Sequence, residues 1–477
     1  MAAISEPATI QRFRFPSAFT ILFGLIMLMA ALTWIIPAGQ YERATNLALD
    51  REVPVAGTYA PAEPNPQGMF DVIMAPIAGF YDPGSNQANA IDVALVVLVI
   101  GGFIGVVTST GAINAGIRSA MISLRGREKW MIPVLMGLFA FGGTTYGMAE
   151  ETLAFYVLLI PIMIAAGYDS VTAVAIILLG AGVGVLGSTV NAFATVIASD
   201  AAGIPFTQGM VLRFAILGLC WLACVAYVMR YAERVRLDPA RSLVYDRKAD
   251  NEAHFLATDG ADDSTFTGLH KLVLAIFGLT FVVMIWGVLK GGWWMGEMSG
   301  LFLASAILVG IVARPGEQRF VDSFLNGARD LLAVALIIGL ARGIVVIMEA
   351  GKISDTILHW AEVSVAGLSE VVFVNVVYWI NVLLSFFVPS SSGLAVLSMP
   401  IMAPVADFAG VGRELVVTAY QSANGIVNLI NPTFAVVMGA LAIGRVPYER
   451  WLAFIWPLLL ILTVIIIACL SVATLAA

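Results

Sequence analysis

The chain has 477 residues, of which 60% are hydrophobic and only 12% charged, and its mean hydropathy is +0.92. An ordinary soluble domain is about 45–50% apolar and about 25% charged, so this composition excludes a water-soluble globular protein. The formal charge of −7 and the lack of a basic face give no reason to expect a nucleic-acid partner. Apolar runs of about 18 residues recur along the chain, each long enough to cross a membrane as a helix. The sequence therefore predicts an all-α polytopic membrane protein.

No pattern in the sequence points to catalysis or to a bound cofactor. Cys220, Cys224 and Cys469 lie inside apolar runs without a CxxC spacing, and the histidines are scattered along the chain. Phosphate-binding and metallohydrolase motifs are also lacking. We therefore predict a protein that is not an enzyme, with no cofactor and no metal other than a coupling sodium ion.

In chain order, the first apolar run covers Phe19 to Ile36, which exceeds the core of a signal peptide and predicts a retained first helix. The segment 38–90 follows, with six acidic and only two basic residues. A basic cluster lies around the segment that joins the two halves of the chain: Arg230, Arg234, Arg236, Arg241, Arg247, Lys248 and Lys271. The positive-inside rule places this joining segment in the cytoplasm and segment 38–90 outside.

The two halves of the chain contain an internal repeat. Short matching stretches align at a nearly constant offset of 239 to 242 residues, for example STGAINAGI with MEAGKISDTI and LLIPIMIAAG with LSMPIMAPVA. Asn191 and Asn431 occupy equivalent positions within this alignment. Chance matches would not stay collinear over so long a stretch, and such repeats are common in secondary transporters.

The charge pattern predicts that the repeats have inverted topology. If every apolar run crossed the membrane, the basic loops could not all be cytoplasmic. The conflict disappears if 131–167 and 371–407 are re-entrant helical hairpins. About nine spans then remain, two of them broken: 19–37, 90–110, 170–200, 208–230, 271–290, 296–313, 328–350, 412–442 and 449–472. The amino terminus is predicted inside and the carboxy terminus outside.

This topology divides the chain into five predicted parts. They are an N-terminal helix with an external segment (1–89), the first repeat (90–233), a cytoplasmic linker (234–270), a central pair of scaffold helices (271–327) and the second repeat (328–477). The part of the linker from Asp238 to Phe266 is rich in aspartate and lacks apolar periodicity, so we expect it to be flexible.

Four polar interruptions are expected to meet near the membrane midplane. They are the hairpin tips GGTTYGMAEET and VPSSSG and the middles of the two broken spans, 184–193 and 421–433. Non-helical backbone at this depth is tolerated only where protein or a water-filled cavity satisfies it. Freed carbonyls suit a cation, and half-helix amino termini suit a carboxylate. These features predict a binding site, although small residues also serve simply for close helix packing.

Within the first tip, Glu150 and Glu151 are the most informative residues, because the offset of the repeat sets them against Ser390 and Ser391. A carboxylate near the bilayer centre costs about 2.5–3.5 kcal/mol, so such residues are functional candidates by default. They could bind a substrate ammonium or guanidinium group, carry a proton or ligate sodium. The alternative is that the tip reaches the cytoplasmic surface, where the acids are merely solvated.

The candidate residues follow from these arguments. Predicted substrate ligands are Thr144, Thr145, Glu150, Glu151, Thr152, Asn191, Ser390, Ser391, Ser392, Asn431 and Thr433. Predicted ligands of a coupling ion are Gly187, Ser188, Asn191, Asn424, Asn428 and Asn431. Arg342 is a secondary candidate for a substrate carboxylate, with pairing to Glu349 as the alternative. Trp293 and Trp294 are expected to belong to an interfacial aromatic belt, and Asp169 and Arg213 to lie at helix ends.

The motifs TWIIPAGQY, NPQGMFDVIMAPIAGF, GGTTYGMAEET and VMRYAERVRLDPARSLVYD resemble the YfcC group of the DcuC (C4-dicarboxylate carrier) family, in the ion transporter superfamily. The resemblance covers nearly the whole chain. It implies a homodimer with a scaffold and a moving domain, an elevator movement, and coupling to sodium or protons. Relatives that carry dicarboxylates have neutral Ser-Asn-Thr-type tips, whereas Glu150 and Glu151 depart from that pattern.

The function predicted is secondary active transport of a small carboxylate-bearing metabolite across the cell inner membrane, by symport or exchange. An amino acid, which could be a basic one, is favoured over the alternative of a C4-dicarboxylate. An ion channel, which also uses re-entrant loops, is a less favoured alternative.

Overall fold

The structure is a computed structural model that describes residues 18–46, 51–85, 88, 90–113, 115–116, 119, 128–145, 147–256, 267–291, 293, 295–365 and 367–476. The chain within these ranges is almost entirely helical, and its few strands are two to four residues long. The all-α membrane class predicted from composition is therefore confirmed.

The helices and strands follow one another in this order. They are α1 (Ala18–Leu32), β1 (Gly39–Gln40), β2 (Arg43–Asn46), β3 (Arg51–Pro54), β4 (Ala60–Pro61), α2 (Met69–Phe80), α3 (Ile91–Ser109), α4 (Met131–Thr145), α5 (Leu153–Ala165), α6 (Ser170–Leu186), α7 (Ile197–Ala202), α8 (Met210–Leu237), α9 (Lys248–Phe255), α10 (Gly268–Gly291), α11 (Met295–Ala313), α12 (Glu317–Asp330), α13 (Leu332–Ala350), α14 (Ser354–Val365), α15 (Glu370–Phe387), α16 (Ser391–Phe408), α17 (Arg413–Val427), α18 (Ala435–Ile443) and α19 (Tyr448–Ala476).

Each predicted span corresponds to one or more of these helices. In the part of the chain that the structure describes, seven helical stretches are long and apolar enough to cross a membrane: 91–109, 210–237, 295–313, 317–350, 370–387, 391–408 and 448–476. The predicted spans 19–37, 170–200 and 271–290 overlap the shorter apolar helices Phe19–Leu32, Ser170–Leu186 and Gly268–Met284. The span predicted at 412–442 is divided into α17 and α18, as expected for a broken helix.

The internal repeat is visible as the same packing in both halves. In the first half, α4 packs against α6, and α6 also contacts α5 and α8. In the second half, α15 packs against α17, and α17 also contacts α16 and α19. Each half therefore holds a hairpin on a broken helix, which is the arrangement that the aligned sequence stretches predicted.

The helices form two groups that meet along a boundary. A first group contains α1, α2, α3 and α10 to α13, in which α3 packs on α11 and α12, and α13 packs on α1 and α2. A second group contains the two hairpins with α6 to α8 and α17 to α19. The groups contact each other mainly through α13 with α18 and through α3 with α5. The repeat is thus split, since its opening helices α3 and α13 both belong to the first group.

The segment from 38 to 90 contains a helix that the sequence did not reveal. Helix α2 packs against α13 so closely that a Cβ at Gly79 would lie 2.1 Å from the carbonyl oxygen of Gly339. The Asp71 carboxylate accepts from the backbone N–H of Gly68 at 2.8 Å and satisfies the amino terminus of α2. With 12 residues and Pro76 inside it, this helix is too short for the length criterion of a span.

Two further helices and part of the linker also differ from expectation. Helix α12 is amphipathic and packs on α3, and α14 lies between the first helix of the second repeat and its hairpin. The linker expected to be flexible forms 3₁₀ turns at 239–241 and 245–247 and then α9, which contacts α5. Periodicity could not reveal α9, because eight residues span only about two helical turns.

Candidate functional site

The first hairpin tip is an irregular turn that places two carboxylates at the start of a helix. Helix α4 ends at Thr145, residues 150–152 form one 3₁₀ turn, and α5 begins at Leu153. Glu151 is buried, and its Oε2 accepts from the backbone N–H of Ala149 at 3.1 Å. Thr152 donates to the carbonyl of Ala149 at 2.5 Å, which closes the turn. Both acids lie at a helix amino terminus, where a negative charge is favoured.

The second tip has the equivalent position in the other repeat and carries no charge. Helix α15 ends at Phe387, and Ser390 caps α16 by accepting from the backbone N–H of Gly393 at 3.2 Å. The Ser391 hydroxyl donates to Asn424 Oδ1 at 2.7 Å, so the tip is attached to α17. Ser392 is half-buried and continues the row of hydroxyls. The tip presents neutral donors at the amino terminus of an 18-residue helix.

The two equivalent asparagines hold their respective hairpins in matching ways. Asn191 Nδ2 donates to the carbonyl of Gly143 at 3.3 Å, and its Oδ1 accepts from the N–H of Ala194 at 3.2 Å. Asn431 Nδ2 donates to the carbonyls of Ser385 and Phe386, both at 3.1 Å. Each asparagine therefore satisfies the frayed end of a hairpin helix, whose last carbonyls would otherwise lack partners.

The broken helices are also joined to each other across the repeat axis. Gln421 Nε2 donates to the carbonyl of Ser188 at 2.9 Å, and Gln421 Oε1 accepts from the Thr195 hydroxyl at 2.6 Å. The Ser188 and Thr195 hydroxyls are 2.6 Å apart. A Cβ at Gly425 would lie 2.4 Å from the Cα of Leu186, so the two segments cross in direct backbone contact. This network satisfies groups released where helix α6 ends.

A cavity of about 510 Å³ lies between the two tips. Ten of the predicted residues line it: Glu150, Glu151, Thr152, Asn191, Arg342, Ser390, Ser391, Ser392, Asn428 and Thr433. The first helix group contributes Val93, Met295, Met298, Ile338, Ala341, Arg342 and Val345, and the connection before α11 contributes Trp293. The cavity therefore lies on the boundary between the groups, and its volume is typical of small-molecule sites.

Six of the predicted residues do not reach the cavity wall. They are Thr144, Thr145, Gly187, Ser188, Asn424 and Asn431. Thr144 lies 3.1 Å from the hydroxyl of Thr189, and Thr145 donates to the carbonyl of Phe141 at 2.6 Å. Asn424 lies one layer behind the tip, where its Oδ1 accepts from Ser391 and from Asn428. These side chains bond to the protein itself and position the residues that do line the cavity.

The charged residues on the described wall of the cavity are Glu150, Glu151 and Arg342. Arg342 is half-buried and forms no ion pair with any described residue, and Glu349, its alternative partner, is exposed. Asn428 is 8% exposed, and its Oδ1 has no hydrogen-bond partner among the described residues. The cavity thus offers two carboxylates, one guanidinium group and one unused amide oxygen to a ligand.

Comparison with known proteins places this architecture in a family. The family model of the C4-dicarboxylate anaerobic carriers, DcuC, matches residues 15–475. The chain belongs to the DcuC family. It is therefore a membrane transporter, and transporters of this kind bind small molecules within the lipid bilayer.

Two relatives align with this chain over almost its whole length. An uncharacterised protein of Haemophilus influenzae is 36% identical over 94% of this chain and 95% of its own. The putative basic amino acid antiporter YfcC of Escherichia coli K12 is 30% identical over 95% of both chains. The resemblance to the YfcC group that the sequence motifs indicated is confirmed.

Two solved transporters share a distant likeness with this member of the DcuC family. They are YdaH of Alcanivorax borkumensis, with a TM-score of 0.41 and 17% identity over 96% of this chain and 98% of its own, and MtrF of Neisseria gonorrhoeae. MtrF has a TM-score of 0.42 and 16% identity over 96% of this chain and 95% of its own.

Sequence reasoning missed several residues of the candidate site. Trp293 lines the cavity, although its position beside a second tryptophan indicated an interfacial belt; Trp294 lies outside the described residues. Gln421 joins the two broken helices, and its position in the polar interruption 421–433 was the only available signal. Met295 and Met298 were missed because isolated methionines in an apolar helix carry no signal of function.

Proposed function

We propose that the chain is a secondary active transporter for a small amino acid, with a basic amino acid favoured. The observation that carries the proposal is that Glu150, Glu151 and Arg342 line one cavity. With the acids ionised, the described wall has one more negative than positive charge. A basic amino acid has the opposite balance, with two cationic groups and one carboxylate, so each charge of the substrate would have a counterpart.

The amino and guanidinium groups of such a substrate would bind at the first tip. Glu150 is half-buried, and no hydrogen bond from another described residue uses its side chain. Glu151 uses one oxygen for the N–H of Ala149, which leaves its other oxygen for a ligand. Burying an uncompensated carboxylate is costly, so a cationic ligand would stabilise both acids.

The carboxylate of the substrate would bind across the cavity, at Arg342 and the serine tip. The guanidinium group of Arg342 has no acidic partner among the described residues and can hold a carboxylate with two parallel hydrogen bonds. Ser391 and Ser392 lie in the first turn of α16, where the helix dipole also favours a negative group. The two tips would therefore read opposite ends of one molecule.

The arrangement of the helix groups supports an elevator movement. Most polar lining residues belong to the second group, which contains both hairpins, whereas the first group contributes mainly apolar side chains and Arg342. A substrate held by the hairpins could move with the second group past the first. In this proposal α1 to α3 and α10 to α13 form the scaffold.

Coupling to a sodium ion or a proton would use the broken segments. Asn428 Oδ1 is buried, lines the cavity and lacks a partner among the described residues, so it can coordinate a cation. Exchange of one amino acid for another would need no ion and is the alternative coupling scheme.

A C4-dicarboxylate is the second candidate substrate. The serine tip and Arg342 suit a carboxylate, and the matching family model is described as a dicarboxylate carrier. A dicarboxylate in the cavity would face the two carboxylates of the opposite tip. The like charges of the substrate and the tip would repel each other at close range. We therefore rank the dicarboxylate below the amino acid.

The test is uptake of radiolabelled arginine or ornithine into proteoliposomes that contain the purified protein. We expect saturable uptake that excess succinate does not inhibit, driven by a sodium gradient, a proton gradient or internal amino acid. Saturable uptake of succinate that arginine does not inhibit would instead support the dicarboxylate candidate. Flux of either compound that never saturates would favour a channel.

The same purified protein also allows its mass to be measured, and we expect a homodimer.

A further inference from the structure

A second cavity, of about 200 Å³, lies away from the proposed transport site. Its walls come from the connection between α5 and α6, the carboxyl end of α8, and the linker from Pro239 to α9. The distribution of basic residues predicts that this face is cytoplasmic. Nothing in the proposed transport function uses these residues.

A single carboxylate holds the walls of this linker cavity together. Asp169 Oδ1 accepts from the backbone N–H and the hydroxyl of Thr172, at 2.9 and 2.7 Å, at the start of α6. Its Oδ2 accepts from the hydroxyls of Tyr231 and Ser242, both at 2.6 Å. Asp169 therefore attaches the linker to α6 and α8, and its own charge is fully used by these four bonds. Such a cavity is preformed rather than a gap in a mobile loop.

Two buried polar atoms of the wall make no short hydrogen bond to a described residue. Tyr168 and Asn251 both line the cavity and are only 5% and 4% exposed. Asn251 Oδ1 forms no hydrogen bond with any described residue, and the Tyr168 hydroxyl lies beside the Arg236 guanidinium group without a short hydrogen bond to a described residue. Buried polar groups are nearly always bonded, so each of these atoms calls for a partner. The cavity is several times larger than the roughly 30 Å³ that one water occupies, so it has room for an organic molecule.

The electrostatic surroundings favour a ligand with one negative group. Ser170 lies in the first turn of α6, a 17-residue helix whose amino terminus carries a partial positive charge. Arg236 also lines the cavity, and its ion pair with Glu128 is long, at 3.9 Å. Lys248 is balanced by Glu252 at 3.6 Å. The Tyr168 hydroxyl and the Arg236 guanidinium group can therefore bind an anion, while Asn251 Oδ1 requires a donor from the ligand.

The rest of the wall is apolar. Ile164, Val235, Pro239 and Val244 line the cavity and can cover the carbon body of a ligand. A purely inorganic anion would leave this surface without contacts and would not reach Asn251 Oδ1 with a donor. The wall therefore suits an amphipathic ligand, which has polar groups on an apolar body.

We propose that the linker cavity binds a small organic monoanion that carries a carboxylate and a separate hydrogen-bond donor on an apolar body. The carboxylate lies near Tyr168, Arg236 and the amino terminus of α6, and the donor lies at Asn251 Oδ1. Binding joins the linker more firmly to α5, α6 and α8. Since the linker connects the two helix groups along the chain, this site is suited to regulate transport by a metabolite other than the transported one.

The test uses three probes of this class, 3-hydroxybenzoate, mandelate and 2-hydroxyisocaproate, on the purified full-length protein. A ligand of the folded state raises the melting temperature by mass action, and we expect at least one probe to raise it by about 2 °C at about 20 mM. The neutral analogue 3-hydroxybenzyl alcohol and inorganic phosphate should have no such effect. The proposal is wrong if none of the three probes stabilises the protein, or if phosphate does so equally well.

Variants then assign the effect to this cavity. Tyr168→Phe removes a hydroxyl that makes no short hydrogen bond and lies beside the Arg236 guanidinium group, so the stability of the free protein should change little, while the stabilisation by the probe is lost or needs about tenfold more probe. Tyr245→Phe is the matched control, because Tyr245 is exposed on the same linker and does not line the cavity. A probe that stabilises wild type and Tyr168→Phe equally would bind elsewhere and would also overturn the proposal.

Discussion

The two hairpin tips have equivalent positions in the repeat, yet they differ in charge. Glu150 and Glu151 begin the turn before α5, whereas Ser390 and Ser391 begin α16. Both tips are held by an equivalent asparagine and both face the same cavity. The shared geometry shows that the repeat determines where the tips lie. The difference in charge means that a few side chains give the two ends of the cavity different chemistry.

The largest effect is expected from removing the charge that distinguishes the tips. Glu150→Gln keeps the shape but removes a charge-assisted hydrogen bond, worth about 1.5–3 kcal/mol, so uptake of arginine should fall about 10- to 100-fold in kcat/KM. Proteoliposome uptake measures this, with Glu349→Gln as control because Glu349 is exposed and does not line the cavity. Uptake that is unchanged in Glu150→Gln would show that the acid tip does not bind substrate.

The equivalent asparagines should differ in their contribution to stability. Asn431→Ala removes two donor contacts to the end of α15 and the acceptor of the Thr433 N–H, which is 3.0 Å away. Asn191→Ala removes contacts that include one longer donor bond, to Gly143 at 3.3 Å, and a longer acceptor bond, from the Ala194 N–H at 3.2 Å. We expect a loss of about 2 kcal/mol for Asn431→Ala and about 1 kcal/mol for Asn191→Ala. Melting temperatures of the purified variants test the order, and the reverse order would contradict it.

Arg342→Gln tests whether the two ends of the cavity read different ends of the substrate. Loss of one charge-assisted contact should raise the KM for arginine about tenfold. Inhibition by agmatine, which has the guanidinium group but no carboxylate, should change less than about twofold. Arg329→Gln is the control, since Arg329 is exposed on α12. Equal weakening of both ligands would assign Arg342 a structural role instead.

The smallest effect is expected at a residue that the sequence alone made a candidate. The hydroxyl of Thr145 donates to the carbonyl of Phe141 within its own helix and does not line the cavity. Thr145→Val should therefore change uptake by less than about twofold. Thr152→Val, on the cavity wall of the same tip, should reduce uptake more. Uptake that depends more on Thr145 than on Thr152 would show that the tip rearranges before it binds.

Much of the fold could be read from the sequence, because membrane helices are recorded in long apolar runs. The repeat, both hairpins and both broken helices followed from apolar length, charge distribution and aligned motifs. Short helices were harder to find. Helix α2 is stabilised by direct glycine contact with α13, a partner more than 250 residues away, and its own sequence is too short to show it.

The candidate site was predicted only as a set of segments. The sequence located the four polar interruptions, but not which of their side chains bond to the protein itself. Asn431 and Ser188 were expected to bind ligands, yet Asn431 satisfies carbonyls of α15, and the carbonyl of Ser188 accepts from Gln421 of the other broken helix. That distinction depends on partners distant in the chain, so neither spacing nor residue type reveals it.

The sequence by itself determined the class of this protein, its family, the equivalence of the two halves and the unequal charge of the two tips. These properties are local, since hydrophobicity, charge and motif are carried by the residues themselves. Only the tertiary structure decided that Arg342, Trp293 and the two tips share one cavity, and that Asp169 closes a second one under the linker. Those contacts join segments that are far apart in the chain, and they exist only where packing brings the segments together.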